Sequence, residues 1–362
     1  MDKLIRGTKA GQQVFEVNTK KLGLRLDERI RDTKPLLKSM KFIVVTEKGN
    51  LYTLDTVSDS IEQICSVQCP EINFEERVTL AVSVQEEFIS VVNTYGKNGV
   101  IVDLVQKKVF RTFQRDDYYF EQSIFPAVFL EDNNRTLFVQ GTKWNRLDIT
   151  DVRTGESVVP RPDPYCGTDE DDSSEAEHRL DYFHGQLLVS PGGDWIADNG
   201  WIWHPTGSVT AWNVQKWLKE NVWESEDGES RTTLWWGKYD WNEPICWIGE
   251  TTIGIIGRYD PDFLAEEEET PLSEDYLIRV MDVRDGKESI SFKIAFGDLY
   301  YDDYLYCTSA ESGFRIYDSG TGKELYANSG LSASAYHPGV RQFLSFIDRE
   351  ITVFTVTERR PE

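Results

Sequence analysis

The sequence contains no long apolar run. Among its 362 residues, no window approaches the roughly eighteen apolar residues that a transmembrane helix requires. The first residues, MDKLIRGTKAGQQ, also lack the apolar stretch of a secretory signal. We therefore expect a cytoplasmic protein that does not have a membrane as a partner.

Cysteine is scarce and dispersed. The five cysteines are Cys65, Cys69, Cys166, Cys246 and Cys307, an odd number of which only the first two are close in sequence. Cys65 and Cys69 lie in a strand-like run, which would place them about 13 Å apart, whereas a disulfide needs Cα atoms within about 7 Å. The sequence thus predicts reduced cysteines, as in a cytoplasmic protein.

Positive charge is also in short supply. The chain has 39 Lys and Arg against 62 Asp and Glu, a net charge of −23. Nucleic acids and anionic membranes are bound through clustered Lys and Arg, so we expect neither as the main partner. A protein with a basic surface remains a candidate partner. The simpler alternative is that the charge only keeps the protein soluble.

Motifs of catalysis and metal binding are missing. The segment GTGKE (320–324) does not complete a phosphate-binding P-loop and is typical of a hairpin turn. Neither a nucleophile elbow nor a zinc-protease motif occurs, and the four histidines have no metal-ligand spacing. The acidic run 169–177 lacks the glycine and the closing Glu of a calcium loop, which favours a solvated loop. We expect no cofactor and no metal.

What the sequence does contain is a repeated hairpin pattern. One motif occurs twice in nearly the same form, as DVRTGES (151–157) and as DVRDGKES (282–289). Each copy is preceded by an apolar, alternating run. An alternating strand, a polar residue, turn residues and a second strand are typical of a β-hairpin. The pattern occurs seven times at a mean spacing of about fifty residues. Its polar position is occupied by Asp55, Asp103, Asp151, Asn213, Asp282, Asp318 and Thr355.

Each hairpin is preceded by further strand-like runs, for example KFIVVTEKG (41–49) and VTLAVSVQEEFISVVN (78–93). Four short strands in each repeat are what a propeller blade requires, because one such sheet must bury its faces against neighbouring sheets. The chain is longer than the roughly 250–300 residues at which a single core stops growing, so its length fits either two ordinary domains or one repeat-built domain. Helical spacing occurs only in residues 212–223.

Several motifs of this chain resemble those of the WD-repeat β-propeller superfamily. They are DVRTGES, DVRDGKES and YDSGTGKEL (317–325), and the turns VSPGGDWIA (189–197) and YHPGVRQFL (336–344). The resemblance covers nearly the whole chain and implies an all-β propeller. With seven hairpins, we expect seven four-stranded antiparallel blades in one domain, residues 1–362. The chain lacks the Trp-Asp ending and the Gly-His dipeptide of the family, so we expect its buried Asp-His-Ser-Trp network to be missing.

The two ends of the repeat array complement each other. The last repeat supplies only three strands, and residues 12–26 are strand-like but precede the first full repeat. An uncovered edge strand invites aggregation. We therefore expect the N-terminal strand to complete the last blade and close the ring.

In a propeller, the connections between blades and the loops between second and third strands lie on one face. We assign to that face two acidic inserts and three connections that combine carboxylates with aromatic residues, namely residues 162–178, 261–275, 115–122, 238–244 and 296–304. Ten of the eleven tryptophans lie between Trp195 and Trp247. The predicted binding residues of this face are Asp116, Asp117, Tyr118, Trp201, Trp203, His204, Asp240, Trp241, Tyr300 and Asp302.

Three classes of function stay open. The favoured one is a non-enzymatic protein-interaction module, an adaptor or inhibitor that binds a basic partner through cation–π contacts and ion pairs. The second is a propeller that binds a carbohydrate or small ligand by ring stacking. The third is a hydrolase that pairs Asp116 or Asp240 with Asp302, although fold alone cannot decide this. For each Trp, packing between blades is the simpler alternative, and a monomer is the favoured oligomeric state.

Overall fold

Seven antiparallel sheets, arranged as the blades of a propeller, make up the described part of the chain, which confirms the predicted fold class. The computed structural model describes residues 14–162, 177–203, 206–238, 240–258, 275–347 and 349–359. Within these ranges, no helix is long and apolar enough to cross a membrane.

The strands follow one another blade by blade, except that the first strand, β1 (Val14–Arg25), belongs to the last blade. The first two blades contain β2 (Ile30–Leu36), β3 (Lys41–Thr46), β4 (Asn50–Asp55), β5 (Ser60–Ser66), β6 (Val78–Val82), β7 (Phe88–Asn93), β8 (Asn98–Asp103) and β9 (Lys108–Gln114). The third blade contains β10 (Ala127–Asp132), β11 (Arg135–Lys143) and β12 (Arg146–Asp151), and a short 3-10 helix, Phe120–Gln122, precedes it.

The fourth blade contains β13 (Phe183–Val189), β14 (Trp195–Ile202), β15 (Thr206–Asn213) and β16 (Thr232–Lys238), with the helices α1 (Val214–Lys219) and α2 (Glu224–Asp227) between its last two strands. The fifth and sixth blades contain β17 (Ile245–Trp247), β18 (Thr252–Arg258), β19 (Tyr276–Asp282), β20 (Glu288–Ile294), β21 (Asp298–Tyr301), β22 (Leu305–Ser309), β23 (Gly313–Tyr317) and β24 (Glu324–Asn328). The seventh contains β25 (Ala335–His337), β26 (Gln342–Ile347) and β27 (Glu350–Arg359).

The core lies between the blades. β-branched and aromatic residues, which favour extended backbone, dominate the middle strands, and every residue of β7 is buried because both faces of its sheet are covered. The outermost strand β9 instead alternates between exposed and half-buried residues. One cluster joins Ile43 of the first blade to Ile89 of the second. Each blade is therefore stabilised mainly by its neighbours.

The repeated polar residue caps the turn between the third and fourth strands. The Asp55 carboxylate accepts the backbone N–H groups of Val57 and Ser58 at 2.9 and 3.0 Å, and Asp151 and Asp318 make the same pair of bonds. Four positions after the aspartate the backbone is left-handed, a conformation that glycine adopts without strain. Glycine occupies this position at residues 155, 286 and 322.

Two of the seven predicted turn positions differ from this pattern. Asn213 is the N-cap of α1, and its side chain accepts the backbone N–H of Lys216 at 3.0 Å. Thr355 lies inside β27, opposite Asn18 of β1, so the prediction of a turn there is wrong. The strand continues because its outer edge is paired with β1.

The third blade has three regular strands, and an irregular segment takes the place of the fourth. Ser157 forms a single antiparallel bridge to Thr150 of β12. At the end of this segment, Arg161 forms a buried ion pair with Glu226 of α2, with 2.6 Å between Nη1 and Oε2. The helical insertion of the fourth blade thus holds the outer edge of the third.

β1 closes the ring, as the sequence predicts. It pairs antiparallel with β27 from Val14, opposite Arg359, to Arg25, opposite Glu350, with one register shift. Phe15 and Leu22 of β1 are buried against the last blade and its neighbours. The ring is therefore held together by hydrogen bonds between residues more than three hundred positions apart.

Candidate functional site

The direction of the strands sorts the loops onto two faces. Because neighbouring strands of a blade are antiparallel, the connections between blades share one face with the turns between second and third strands. We call this the connection face. The turns between first and second strands, and between third and fourth strands, lie on the opposite face, which we call the turn face.

Seven of the predicted binding residues belong to the connection face. They lie in the β9–β10 connection, at the β14–β15 turn and in the β16–β17 connection, and are Asp116, Asp117, Tyr118, Trp201, Trp203, Asp240 and Trp241. His204 and most of the two acidic inserts, residues 163–176 and 259–274, lie outside the described residues.

Asp302 is on the other face, so the prediction that it shares a surface with Asp116 and Asp240 is wrong. It lies in the turn between β21 and β22, the first two strands of the sixth blade. Its carboxylate accepts hydrogen bonds from the hydroxyl groups of Tyr306, at 2.9 Å, and Tyr336. These bonds brace the sixth blade against the seventh.

Tyr300 is likewise not a residue of the connection between blades. It belongs to β21, and its ring lies 5.8 Å from that of Tyr336 and 6.0 Å from that of Phe343, measured between centroids. Burial, with a smaller contribution from Asp298, raises the pKa of its hydroxyl well above the usual value. Its contacts are those of a packing residue in the inner part of the ring.

Asp240 lies on the connection face but is neutralised there. It is only 4% exposed, and its carboxylate accepts two hydrogen bonds from the guanidinium of Arg258, one of them 3.0 Å from Nε. Burial and the charge of Asp240 together raise the pKa of the nearby Glu243 to about 7. Asp116, Asp240 and Asp302 therefore do not form the predicted acidic mouth, nor the carboxylate pair of a hydrolase.

The connection face instead carries a cluster of rings from the second to the fourth blade and the connection that follows it. We call it the aromatic patch, and its members are Tyr118, Tyr119, Trp144, Phe183, Trp201, Trp203 and Trp241. Tyr118, Tyr119 and Trp203 are 45%, 46% and 36% exposed, whereas Phe183 and Trp201 are buried. The patch thus has a buried base and an exposed rim.

The rings of the patch are packed against one another. Phe183 stacks on Trp201 with centroids 3.9 Å apart, and Tyr118 stacks on Phe183 at 5.9 Å. Tyr119 and Trp203 meet edge to face at 4.9 Å. Such aromatic pairs contribute about 0.5–1.5 kcal/mol beyond the area that they bury. The exposed rings are therefore held in place before any ligand arrives.

A buried arginine positions the two tyrosines. Arg115 donates hydrogen bonds to the carbonyl oxygens of Gly96, Phe120 and Ser123, each at 2.8 Å. Burial lowers the pKa of its guanidinium to about 10, so it remains charged at neutral pH. Arg115 precedes Tyr118 and Tyr119, and its acceptors Phe120 and Ser123 follow them, so these bonds give the β9–β10 connection a defined shape.

A second set of polar contacts joins the segments beneath the patch. The Asp116 carboxylate accepts backbone hydrogen bonds from Trp144 and Tyr118, and burial raises its pKa. The indole N–H of Trp201 donates to the Ser123 hydroxyl at 2.8 Å. Asp116 therefore has a clear structural role, in addition to any part in binding.

The exposed charges beside the patch are mainly negative. The Asp117 side chain is 80% exposed and has only a long contact, 3.9 Å, to the ammonium group of Lys97. Asp181, two residues before β13, is also exposed. A ligand on the exposed rings would therefore approach exposed carboxylates as well as aromatic faces.

The tryptophan cluster of the sequence divides between core and surface. Trp195, Trp235 and Trp247 are buried in the core between the fourth and fifth blades, as the simpler alternative predicts. Trp201, Trp203 and Trp241 belong to the patch. Trp144 and Phe183 are not among the predicted binding residues, because neither lies in an aromatic-rich connection. Tyr119 is not among them either, although it lies in the segment 115–122.

One buried His–Asp pair lies beneath the patch. The Nδ1 atom of His184 is 2.5 Å from Oδ2 of Asp198, and the two residues are 2% and 0% exposed. The Tyr182 hydroxyl lies within hydrogen-bond distance of the carbonyl oxygens of Asp198 and Ser208, at 3.0 and 2.8 Å. A pair so enclosed cannot exchange protons with a substrate, and it joins the strands of the fourth blade. Among the described residues, no group of His, Cys, Asp and Glu side chains is arranged to hold a metal ion.

No protein-family model matches the sequence, and no curated protein matches it either. Among solved structures, the chain is similar to the β-propeller domain of Cps50 (Swd1) from Myceliophteria thermophila, with 10% identity, a TM-score of 0.56, and coverage of 94% of this chain and 100% of that one. It is also similar to U3-55K, with 10% identity, a TM-score of 0.59, and coverage of 96% and 100%. At such identity the likeness shows the fold alone, that of a β-propeller.

Proposed function

We propose that this protein is a non-catalytic interaction module whose aromatic patch binds a Lys- or Arg-containing segment of a partner protein. The observation that carries the proposal is the exposed rim of Tyr118, Tyr119 and Trp203 on a buried aromatic base. Preformed rings lose little conformational freedom on binding, which favours affinity.

The chemistry of the rim suits a cation. Lys and Arg side chains are attracted to the faces of Trp and Tyr rings, with about 0.5–1 kcal/mol for each exposed contact. Asp117 supplies an exposed carboxylate beside the rings. The net charge of −23 would also speed the approach of a basic partner.

A carbohydrate that stacks on the same rings is the alternative that a binding experiment must separate. Both ligand classes use ring faces, but only the cationic one depends strongly on salt, because ion pairs at a surface are screened. We therefore expect binding of a hexaarginine peptide that weakens as NaCl increases, and no binding of maltohexaose.

The test is a fluorescence titration of the wild type and of single-residue variants with these two probes. Trp203→Ala should raise the Kd for hexaarginine about two- to fivefold, as expected for the loss of one exposed cation–π contact. Tyr119→Ala should have a similar effect, and Asp117→Asn should mainly reduce the salt dependence. The matched control is Trp236→Ala, because Trp236 is 43% exposed on the outer strand β16, away from the patch.

Each outcome bears on the proposal. Equal losses in Trp203→Ala and Trp236→Ala would mean that hexaarginine binds only to the overall negative charge, and the proposed site would be wrong. Binding of maltohexaose, abolished by Trp203→Ala and insensitive to salt, would replace the proposal with the carbohydrate alternative.

A further inference from the structure

A cavity of about 410 Å³ lies where the ring closes. Its wall includes Leu26 and Arg29 from the connection between β1 and β2, and Phe346 and Arg349 from the β26–β27 hairpin. It opens on the connection face and is separate from the aromatic patch in position and composition. Its volume is within the range of about 300–1,000 Å³ that small-molecule sites occupy.

The cavity wall carries exposed basic residues, whereas the whole chain is strongly acidic. Arg29 and Arg349 are both exposed at its wall. Among the residues that the structure describes, neither guanidinium forms a salt bridge. In a protein with 62 acidic and 39 basic residues, two such arginines in one cavity indicate a site that attracts an anion.

Among the described residues of the cavity wall, Glu28 is the one carboxylate, and its charge is already satisfied. It accepts hydrogen bonds from the Thr46 hydroxyl and from the Asn50 amide at 3.0 Å, and it lies 3.4 Å from the ammonium group of Lys48. Although burial opposes ionisation, these partners leave its pKa lowered. The two arginines therefore remain available to a ligand.

The remaining wall is apolar. Leu26, Ile30, Phe346 and Ile351 complete it, and Phe346 and Ile351 are cross-strand neighbours in the last blade. An inorganic anion would leave this surface uncovered. An anion attached to an apolar body would fill the cavity and exclude water from the apolar wall.

We propose that this cavity binds a small organic anion, a carboxylate on an apolar body, between Arg29 of the first blade and Arg349 of the last. Arginine recognises carboxylates through paired hydrogen bonds. A single carboxylate charge is preferred over a phosphate dianion, because the rest of this acidic chain repels each added negative charge.

The position of the cavity links binding to ring closure. Phe346, Arg349 and Ile351 belong to the last blade, whereas Arg29 and Ile30 belong to the start of the first. A ligand that contacts both sides is bound only while the ring is closed. It therefore stabilises the closed ring by an amount that grows with the logarithm of the ligand concentration above Kd, so Tm should increase with ligand concentration.

Arg349 permits a variant that separates binding from folding. Its backbone φ is 69°, a left-handed value that a side chain disfavours and glycine adopts readily. Arg349→Gly thus removes the guanidinium and relieves the backbone. We expect this variant to be at least as stable as the wild type in the absence of ligand.

The experiment is calorimetric titration and thermal melting of the full chain with 3-phenylpropionate, its neutral amide, phenyl phosphate and inorganic phosphate. We expect saturable binding of 3-phenylpropionate with a rise in Tm, weaker binding of phenyl phosphate, and no binding of the amide or of inorganic phosphate. Arg349→Gly and Arg29→Gln should each raise the Kd about tenfold or more. Lys323→Gln, which removes an exposed positive charge on the turn face, is the matched control.

Three results would overturn the proposal. They are equal affinity for the amide and the carboxylate, wild-type affinity in both arginine variants, and no saturation at about 20 mM 3-phenylpropionate. Tighter binding of phenyl phosphate than of the carboxylate would show that the site prefers a dianion and that the charge argument is wrong. None of these results affects the aromatic patch, which shares no residue with the cavity.

Discussion

Removing residues 1–26 should open the ring. These residues contain β1, whose loss exposes the edge of β27 along nine paired positions from Val14 to Arg25. The buried side chains that are lost are Phe15, Leu22 and Leu26, with exposed fractions of 8%, 3% and 6%. At about 1.5–3 kcal/mol for each fully buried side chain, the loss is roughly 5–9 kcal/mol.

A loss of this size is comparable to the whole stability of a typical folded protein, about 5–15 kcal/mol. The truncated chain should therefore unfold at a much lower urea concentration and form aggregates in size-exclusion chromatography, because an uncovered strand edge pairs with other chains. Leu22→Ala isolates one part of the effect and should cost about 2–5 kcal/mol. Lys20→Ala, an exposed position on the same strand, should change stability by less than about 0.5 kcal/mol.

A synthetic peptide of residues 12–26 gives a sharper test. Added to the truncated chain, it should pair with β27 and restore part of the lost stability, since a strand can be supplied from outside. The same peptide with Leu22→Ala should be a poorer supplement. An unchanged unfolding curve for the truncated chain, or a peptide without effect on a truncated chain that is still partly folded, would refute the closure argument.

Three further predictions concern the interior. Arg161→Met should destabilise the protein by about 3–5 kcal/mol, because it leaves Glu226 buried without its partner, whereas adding Glu226→Leu should recover much of the loss in urea denaturation. Since the folded pKa of Glu243 is about 7 and the unfolded value is near 4.5, the folded state binds the extra proton. Stability should therefore fall, by roughly 1–3 kcal/mol, as pH rises from 4.5 to 7, and Glu243→Gln should remove that part of the pH dependence. Gly207→Ala should lower Tm markedly, because the added Cβ would lie 1.7 Å from the backbone oxygen of Asp240; an unchanged Tm would contradict that geometry.

The wrong prediction for Asp302 on the connection face follows from the composition of the segment that contains it. The segment 296–304 has the same composition as the connections 115–122 and 238–244, but β21 occupies Asp298–Tyr301 inside it. A strand of four residues that begins with an aspartate and is followed by two more has no distinctive local pattern. The sequence therefore predicts Asp302 on the connection face, whereas the strand bounds place it on the turn face.

Local features of the sequence were sufficient for the architecture. Alternating apolar residues predict strands, and a polar residue followed by turn residues predicts the hairpin turn, because both depend on neighbouring residues only. Repetition of the pattern then predicts seven blades, and the unmatched strands at the two ends predict closure. The seven blades and the closure are confirmed in the structure, whereas the predicted turn positions Asn213 and Thr355 differ from the pattern.

The character of the connection face was decided by contacts between distant segments. Asp240 is neutralised by Arg258, eighteen residues away, and the Tyr118 ring is held by Phe183 of another blade. Whether a carboxylate is free, or a ring exposed, depends on which side chain lies opposite it across a blade boundary. That choice is made by packing and desolvation in the closed ring, and no local pattern in the sequence encodes it.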